Sequence, residues 1–451
     1  MKKTLIFIIA LLLLLTLLIS CEANGSDDDI HTDEQSSERT TITLGIIDLR
    51  EYFGVDYTMM RVFEFNQRNR HYQIEVVNYT TDDLMRLRTE LVAGSGPDIL
   101  YTLFFEDSIF TPLMSQGLLA DLWSFIDADP VINRSDFWPN ILEAMQSSDG
   151  SLPVIANQFT IQSLISRPET ISNAESLTIS YFLETIRNAV EAGIAYPMDD
   201  FMSGIDFLLY LLLYVDLGII DLDAGVSDFE SRIFFDILEL ADILPREGAF
   251  DDFFNSYERL RRGEQLFMNG AILYPFSYAG YETFLGEFVM LGDPSDDGGV
   301  HGAIWKSILA MSAVSNNQEA AWSFIRRHLL WETEMDFTRG LPMRIDLFEE
   351  QVLIARRAHE VVTTENGDEI EIPNHFRVFN EIEFPVNPLT AEGAIALREI
   401  IESVSFVSRQ NQHIAEILME ELPHFFSGSR TAEDTARIIQ SRVQLYLGER
   451  S

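Results

Sequence analysis

Few groups in this chain have the residue types and spacings that chemistry needs. Cys21 is the single cysteine of 451 residues. One thiol forms neither an internal disulfide nor a cysteine-rich metal cage, so it is an attachment point or incidental. The eight histidines, His71, His301 and His328 among them, form no H-x-x-x-H pair and no His/Cys cluster. Asp221, Asp223 and Gly225 begin like a calcium loop, but Arg232 holds the twelfth position, where a bidentate Glu is needed. Gly94-Ser95-Gly96 follows a helical pattern and precedes a strand pattern. Phosphate cradling needs the reverse order. No G-x-S-x-G is present. Acidic residues number 72, so a carboxylate pair spaced for glycoside hydrolysis would arise by chance, and abundance is no argument for one.

Against those acids stand 31 basic residues, for a formal net charge of -41. Lysine occurs only at Lys2, Lys3 and Lys306; the other basic residues are arginine. Such a surface disfavours nucleic acid, whose binding needs phosphate neutralisation. It also disfavours lying flat on an anionic membrane. It suits a solvated protein with a neutral or cationic ligand. The length implies more than one domain, because a single core rarely grows past about 250–300 residues.

Lys2 and Lys3 precede an apolar run from Leu5 to Ile19. That run is shorter than the roughly 20 residues that span a bilayer. Leu18-Ile19-Ser20-Cys21 then resembles the bacterial lipoprotein signal, with Leu three before the cysteine and a small residue just before it. The resemblance implies that residues 1–20 are a signal peptide and that Cys21 becomes a diacylated N-terminus. Two acyl chains anchor stably where one is marginal. Residues 21–40 carry Asp27-Asp28-Asp29 and many Ser, Thr and Glu, so they are expected to be a disordered acidic linker.

From Thr41 the pattern changes. "TITLGIID", "YQIEVVNY" and "DILYTLF" read as strands. "YTMMRVFEFNQRN", with Asp56 as its cap, and "TDDLMRLRTELVAG", stopped at Gly94, read as the helices between them. The alternation predicts an α/β unit with a largely parallel sheet. Ser180 is expected to cap "YFLETIRNAVEAG", burying Phe182, Ile186, Ala189 and Val190. "IDFLLYLLLYVDLG" reads as a buried core helix. "QLFMNGAILYPF" suggests a helix ended by Gly270, then a strand. Ser315 to Gln318 has the spacing of a capping box for a helix burying Trp322, Ile325 and Leu329. Trp123 and Trp138 read as packing anchors. Two helices close the chain, the last opened by Thr431 and spacing Ala432, Ala436, Ile439, Val443 and Leu447 on one face.

Several of these stretches, in order, resemble the family 1 extracellular solute-binding proteins, the maltose-binding-protein-like group. They are "LRTELVAGSGPDIL", "LMSQGLLADLWSFID", "DGSLPVIANQ", "RRGEQLFMNGAILYPFSY", "SAVSNNQEAAWSFIRRHL" and "RGLPMR". The resemblance runs over nearly everything from Thr41 onward. It implies an α/β, two-lobe periplasmic-binding-protein-like (type II) fold with a hinge and an interlobe cleft. The expected division is 41–152 plus 301–348 for the N-lobe and 153–300 plus 349–451 for the C-lobe. The family implies capture of a small solute, a sugar or oligosaccharide, and delivery to an ABC transporter permease. No catalysis and no cofactor are expected, and the protein is expected to act as an extracytoplasmic monomer touching the membrane only through lipid.

A sugar site needs flat rings for the pyranose face and polar groups for its hydroxyls. The family places such residues in loops after strands. That position gives Asp48, Arg50 and Tyr52 after the first strand, and Phe104, Phe105 and Glu106 after the third. Asn157 and Gln158 fall at the first lobe crossing; Phe276, Tyr278 and Tyr281 follow a later strand; Trp305 and Arg344 flank the return. At 104–105 the family often has a tryptophan and a carboxylate, and this chain has two phenylalanines. Two other readings stay open on the sequence: a surface-anchored carbohydrate-active enzyme, and a binding lipoprotein that reports to a sensor kinase.

Overall fold

The computed structural model describes residues 39–47, 57–105, 107–171, 174–199, 202–222, 224–249, 253–330, 340–364, 367–373, 375–378, 382–407 and 411–450. Cys21, nearly all of the expected linker, Asp48, Arg50, Tyr52, the Asp56 cap and Glu106 lie outside the described residues.

The β-branched run at Thr40 forms β1 (Thr40–Ile47), which buries Ile42, Leu44, Ile46 and Ile47. β2 (Tyr72–Tyr79) and β3 (Ile99–Phe104) flank it in parallel, so that Leu44 lies opposite both Val76 and Ile99. Helices Tyr57–Arg68 and Leu84–Val92 make the crossovers. Val62 and Phe65 on the first, and Leu87 and Leu91 on the second, are buried at helical spacing. Gly94, at φ +71°, ends the second helix. Gly45 is needed for close approach, since a Cβ there would lie 2.8 Å from Cγ of Pro97.

β4 (Val154–Ser166) is a long strand, buried on both faces along almost its whole length. Beyond it come a small pair, β5 (Ile220–Asp221) and β6 (Val226–Ser227), then β7 (Phe267–Ile272), β8 (Val289–Ser295), β9 (Gly298–Val300) and β10 (Gly302–Met311). β11 (Leu341–Pro342) follows. Two separate hairpins come next, β12 (His359–Thr363) with β13 (Glu369–Pro373) and β14 (His375–Val378) with β15 (Ile382–Pro385), and then β16 (Phe406–Val407). Among the described residues the main sheet has ten strands in the order β2-β1-β3-β10-β4-β8-β9, with β7 and β11 also on β4 and β16 on β10. The expected parallel pairing holds for β1 with β2 and β3, and recurs only in the short contact of β16 with β10 among the described residues. β10 runs antiparallel to both β3 and β4, because it brings the chain back toward its starting side.

Two large apolar cores meet along β4. Val154, Ile155, Ala156, Phe159 and Ile161 belong to the first, with β1, β3, β10 and the helix Gln318–Leu329. Leu164 belongs to the second, with the helices Gly204–Tyr214, Arg232–Ile243, Gln412–Phe426 and Ala432–Arg450. Leu389, Leu397, Ile401 and Val404 pack in the first core although their neighbours in sequence, from Ile414 on, pack in the second.

The run "IDFLLYLLLY" is the core helix its composition predicts. Phe207, Leu208, Tyr210, Leu211 and Leu212 are buried, and Ser203 and Asp206 close a capping box. In the last helix Ala436, Ile439, Val443 and Leu447 are buried, and the Thr431 hydroxyl accepts from the Asp434 amide. Trp123, Trp138 and Trp322 are buried anchors; Trp322 donates to Asp129 at 2.7 Å and Trp138 to the Pro342 carbonyl at 3.2 Å.

Three local expectations are corrected. The helix Ile179–Glu191 is capped by Thr178, whose hydroxyl accepts from the Tyr181 amide, so Ser180 falls inside the first turn. Gly270 ends no helix. It lies within β7 opposite Ser163, where a side chain would strike Ile165. Ser315 does not cap the helix at Gln318; its hydroxyl donates to Asp98 at 2.6 Å. Asp98 also accepts from the Thr43 amide and hydroxyl, tying β1, β3 and the loop after β10 together. Among the described residues no helix is long and apolar enough to cross a membrane.

Candidate functional site

The register of four strands sets one row of side chains across the sheet: Phe104 of β3, Lys306 of β10, Gln158 of β4 and Pro342 of β11. These residues share a face of the pleat. One step along, Trp305, Phe159 and Leu341 form a row on the opposite face. The two rows lie in the first core's half of β4, a few residues before Leu164 takes that strand into the second.

The apolar row is packed dry. The Trp305 ring meets Phe105 edge to face at 5.1 Å, and Phe105 stacks on Phe110 at 5.3 Å. Phe105, Phe110, Phe159 and Trp305 are all buried. Phe105 and Trp305 therefore spend their faces on each other and on the core. The Trp305 indole N–H is buried with no acceptor, which costs about 1–3 kcal/mol in an apolar setting.

The polar row is more open. Lys306 is half-buried, with its ammonium 5.6 Å from the centroid of the Phe104 ring. Gln158 is buried beside it, and Gly340 sits against the Gln158 side chain, where a Cβ would lie 2.9 Å from that of Gln158. Asn157 is buried, and its carbonyl accepts from the Met343 amide at 3.0 Å. Ser307 follows Lys306 at φ +54° and is the only non-glycine residue with positive φ among those described. Strand pairing passes from Lys306 to Ile308 on both sides without a pair at Ser307.

The remaining candidates divide by burial. Arg344 opens the helix Ile345–Ala355, and its guanidinium is forked onto the Asp346 carboxylate, with Nε to Oδ1 at 3.0 Å. Its Nη1 is buried without an acceptor. Phe276 and Tyr278 lie in the helix Pro275–Leu285 that follows β7. Phe276 is half-buried and edge-on to Tyr274. Tyr278 packs on Phe288 at 5.3 Å, and burial, reinforced by Glu282 and Glu399, pushes its phenol up to about 12. Tyr281 is structural: its hydroxyl donates to the Ala271 carbonyl and accepts from the Ala271 amide. The structure thus brings Phe105 and Trp305 together, and Gln158 together with Phe104 and Lys306. Lys306 is the residue that sequence reasoning did not select, although its standing as the one lysine beyond Lys3 was in plain view. Among the described residues no group of three His, Cys, Asp or Glu is placed to hold a metal ion.

No family model matches the chain, and no curated protein matches it. Solved structures do. The sugar-binding protein MalE of Xanthomonas citri matches with a TM-score of 0.53 and 15% identity, over 91% of this chain and 98% of that one. A family 1 extracellular solute-binding protein of Alicyclobacillus acidocaldarius matches with a TM-score of 0.51 and 12% identity, over 91% and 99%. An ABC transporter solute-binding protein of Thermotoga lettingae, bound with α-D-tagatose, matches with a TM-score of 0.50 and 15% identity, over 90% and 100%. The chain therefore has the two-lobe α/β fold of the extracellular solute-binding proteins. These three neighbours are binding proteins, not enzymes.

Proposed function

We propose that this chain is a solute-binding protein that captures a sugar or oligosaccharide between its two lobes and hands it to an ABC importer, with Cys21 as its lipid anchor. The observation that carries the reading is the passage of β4 from one core to the other, with Gln158 a few residues before the crossing and Lys306 of β10 paired to it. The named sugar-binding neighbours support the ligand class. A ligand touching both lobes favours the closed form, and that differential affinity is what a permease reads. Asp48, Arg50, Tyr52, Glu106, Asn157, Phe276 and Arg344 are proposed as further contacts around the crossing. Phe105, Tyr278 and Trp305 would then shape the walls behind it, because their rings are buried in this structure.

The test is thermal unfolding of the protein against mono- and oligosaccharides, amino acids, peptides and polyamines. A ligand that binds only the native state adds about 2.7 kcal/mol at 100 times its Kd. A rise in melting temperature with one saccharide class, recovered uncleaved, is the expected result. Cleaved saccharide would make the protein an enzyme, and no shift with any saccharide would remove the carbohydrate assignment.

A further inference from the structure

Lys306 is out of place in this molecule. Arginine makes ion pairs across the described surface, as in Arg86 with Asp83 and Glu90, or Arg442 with Glu420 and Glu421. The one lysine beyond the N-terminus stands in the interior of a central strand, half-buried. A lysine kept for solubility would sit on a surface helix with its head in water. An ammonium also differs from a guanidinium: it is a compact charge with three donors on a flexible stem.

Two further observations fall at the same place. Phe104 and Gln158 flank Lys306 in register, supplying a flat ring and an amide that both donates and accepts. Ser307 holds a left-handed backbone inside a buried strand, a conformation that costs free energy and clusters at ligand sites. The chain's formal net charge of -41 weighs against an anion as the intended ligand.

We propose that Lys306 is a specificity-determining ligand contact, which donates from its ammonium to the ring and hydroxyl oxygens of a neutral saccharide lying on Phe104, while Gln158 pairs a neighbouring hydroxyl. The proposal rests on the solute-binding reading above and names the residue that reads the solute.

The test uses the protein in detergent micelles with its lysine labelled with ¹³C at Cε, which keeps the positive charge and all three N–H donors. The Lys306 resonance is identified by its loss in Lys306→Arg. Maltose, maltotriose, xylobiose, D-tagatose and D-galacturonate are titrated while melting temperature is followed on unmodified protein. The neutral saccharide that raises the melting temperature is expected to move the Lys306 resonance. Lys306→Gln is expected to bind that saccharide at least about tenfold more weakly, read as the shift from its own ligand-free melting temperature, with Lys306→Arg between the two. A saccharide that stabilises the parent and Lys306→Gln equally, with the resonance unmoved, would overturn the proposal and leave the solute-binding reading intact. Preference for galacturonate would overturn the neutral class. No stabilisation by any of the five would remove the solute-binding reading's carbohydrate and Lys306 with it.

Discussion

The Tyr210 hydroxyl donates to a carboxylate oxygen of Asp293 at 2.5 Å, with both residues buried in the half of the molecule built on the second core. Burial disfavours the charged carboxylate and pushes Asp293 up to about 7, with the tyrosine hydrogen bond pulling the other way. An acid raised in the folded state keeps its proton there longer than in the unfolded chain. From about pH 4 to about pH 7 only the unfolded chain releases it, so stability falls as pH rises through that window and is level above it. The span is at most on the order of 4 kcal/mol. Asp293→Asn is expected to remove that slope, read as the difference between parent and variant in urea unfolding from pH 4 to pH 8. Tyr210→Phe leaves the carboxylate without that donor, and it is expected to destabilise by about 1–3 kcal/mol and to push the transition to higher pH.

His301 gives the opposite slope in an overlapping window. It begins the return to β10, buried, with Nδ1 3.1 Å from the Ser403 hydroxyl. Burial holds its imidazole down at about 4. Below the ordinary value of 6.5 the unfolded chain takes up a proton that the native state refuses. Its contribution is therefore full above pH 6.5 and is lost as pH falls toward 4. His301→Gln is expected to flatten acid destabilisation across that range. In the parent the two slopes offset, so single variants measured over the same pH series are needed to see either.

Gly270 is held by packing and not by its backbone. A Cβ there would lie 2.3 Å from Cδ1 and 2.9 Å from Cγ1 of Ile165 on the neighbouring strand. Gly270→Ala is expected to destabilise by about 1–3 kcal/mol through overpacking. Ile165→Val removes Cδ1, so the double variant is expected to recover part of the loss, giving a coupling of at least about 0.5 kcal/mol in a double-mutant cycle. A glycine needed only to end a helix would show no such coupling.

That glycine marks the limit of what the sequence disclosed. β2 was legible to its ends, and Phe182, Ile186 and Ala189 were legible as a buried face, because local period alone decides them. Gly270, Ser315 and Ser180 misled because Ile165, Asp98 and Thr178 compete for the same positions, two of them from distant chain. At the candidate site the aromatic and amide residues were visible as types. Their burial was not, since Trp305 meets Phe105 only after β10 has returned about two hundred residues later to lie against β3. Lys306 stood alone in composition, but its neighbours Phe104 and Gln158 come from two other strands, and no window of sequence contains all three.

The lipid anchor proposed for Cys21 can be tested without reference to the fold. Each buried CH₂ of an acyl chain contributes about 0.8 kcal/mol, so two chains hold a protein at the membrane and their loss releases it. The parent, expressed in a bacterium that processes lipoproteins, is expected in the membrane fraction and in the detergent-rich phase on phase separation. Its N-terminal peptide should begin at Cys21 and carry the mass of a diacylglyceryl group. Cys21→Ala removes the only thiol of the chain, and it is expected to move the protein to the aqueous phase. The melting temperature should not change, because Thr40–Ser451 is a compact unit in itself. Retention of Cys21→Ala in the membrane would point instead to the Leu5–Ile19 run as an uncleaved anchor. A charged residue placed at Leu12 of that variant would then release it, whereas a lipidated parent carrying the same change should fail earlier, at export.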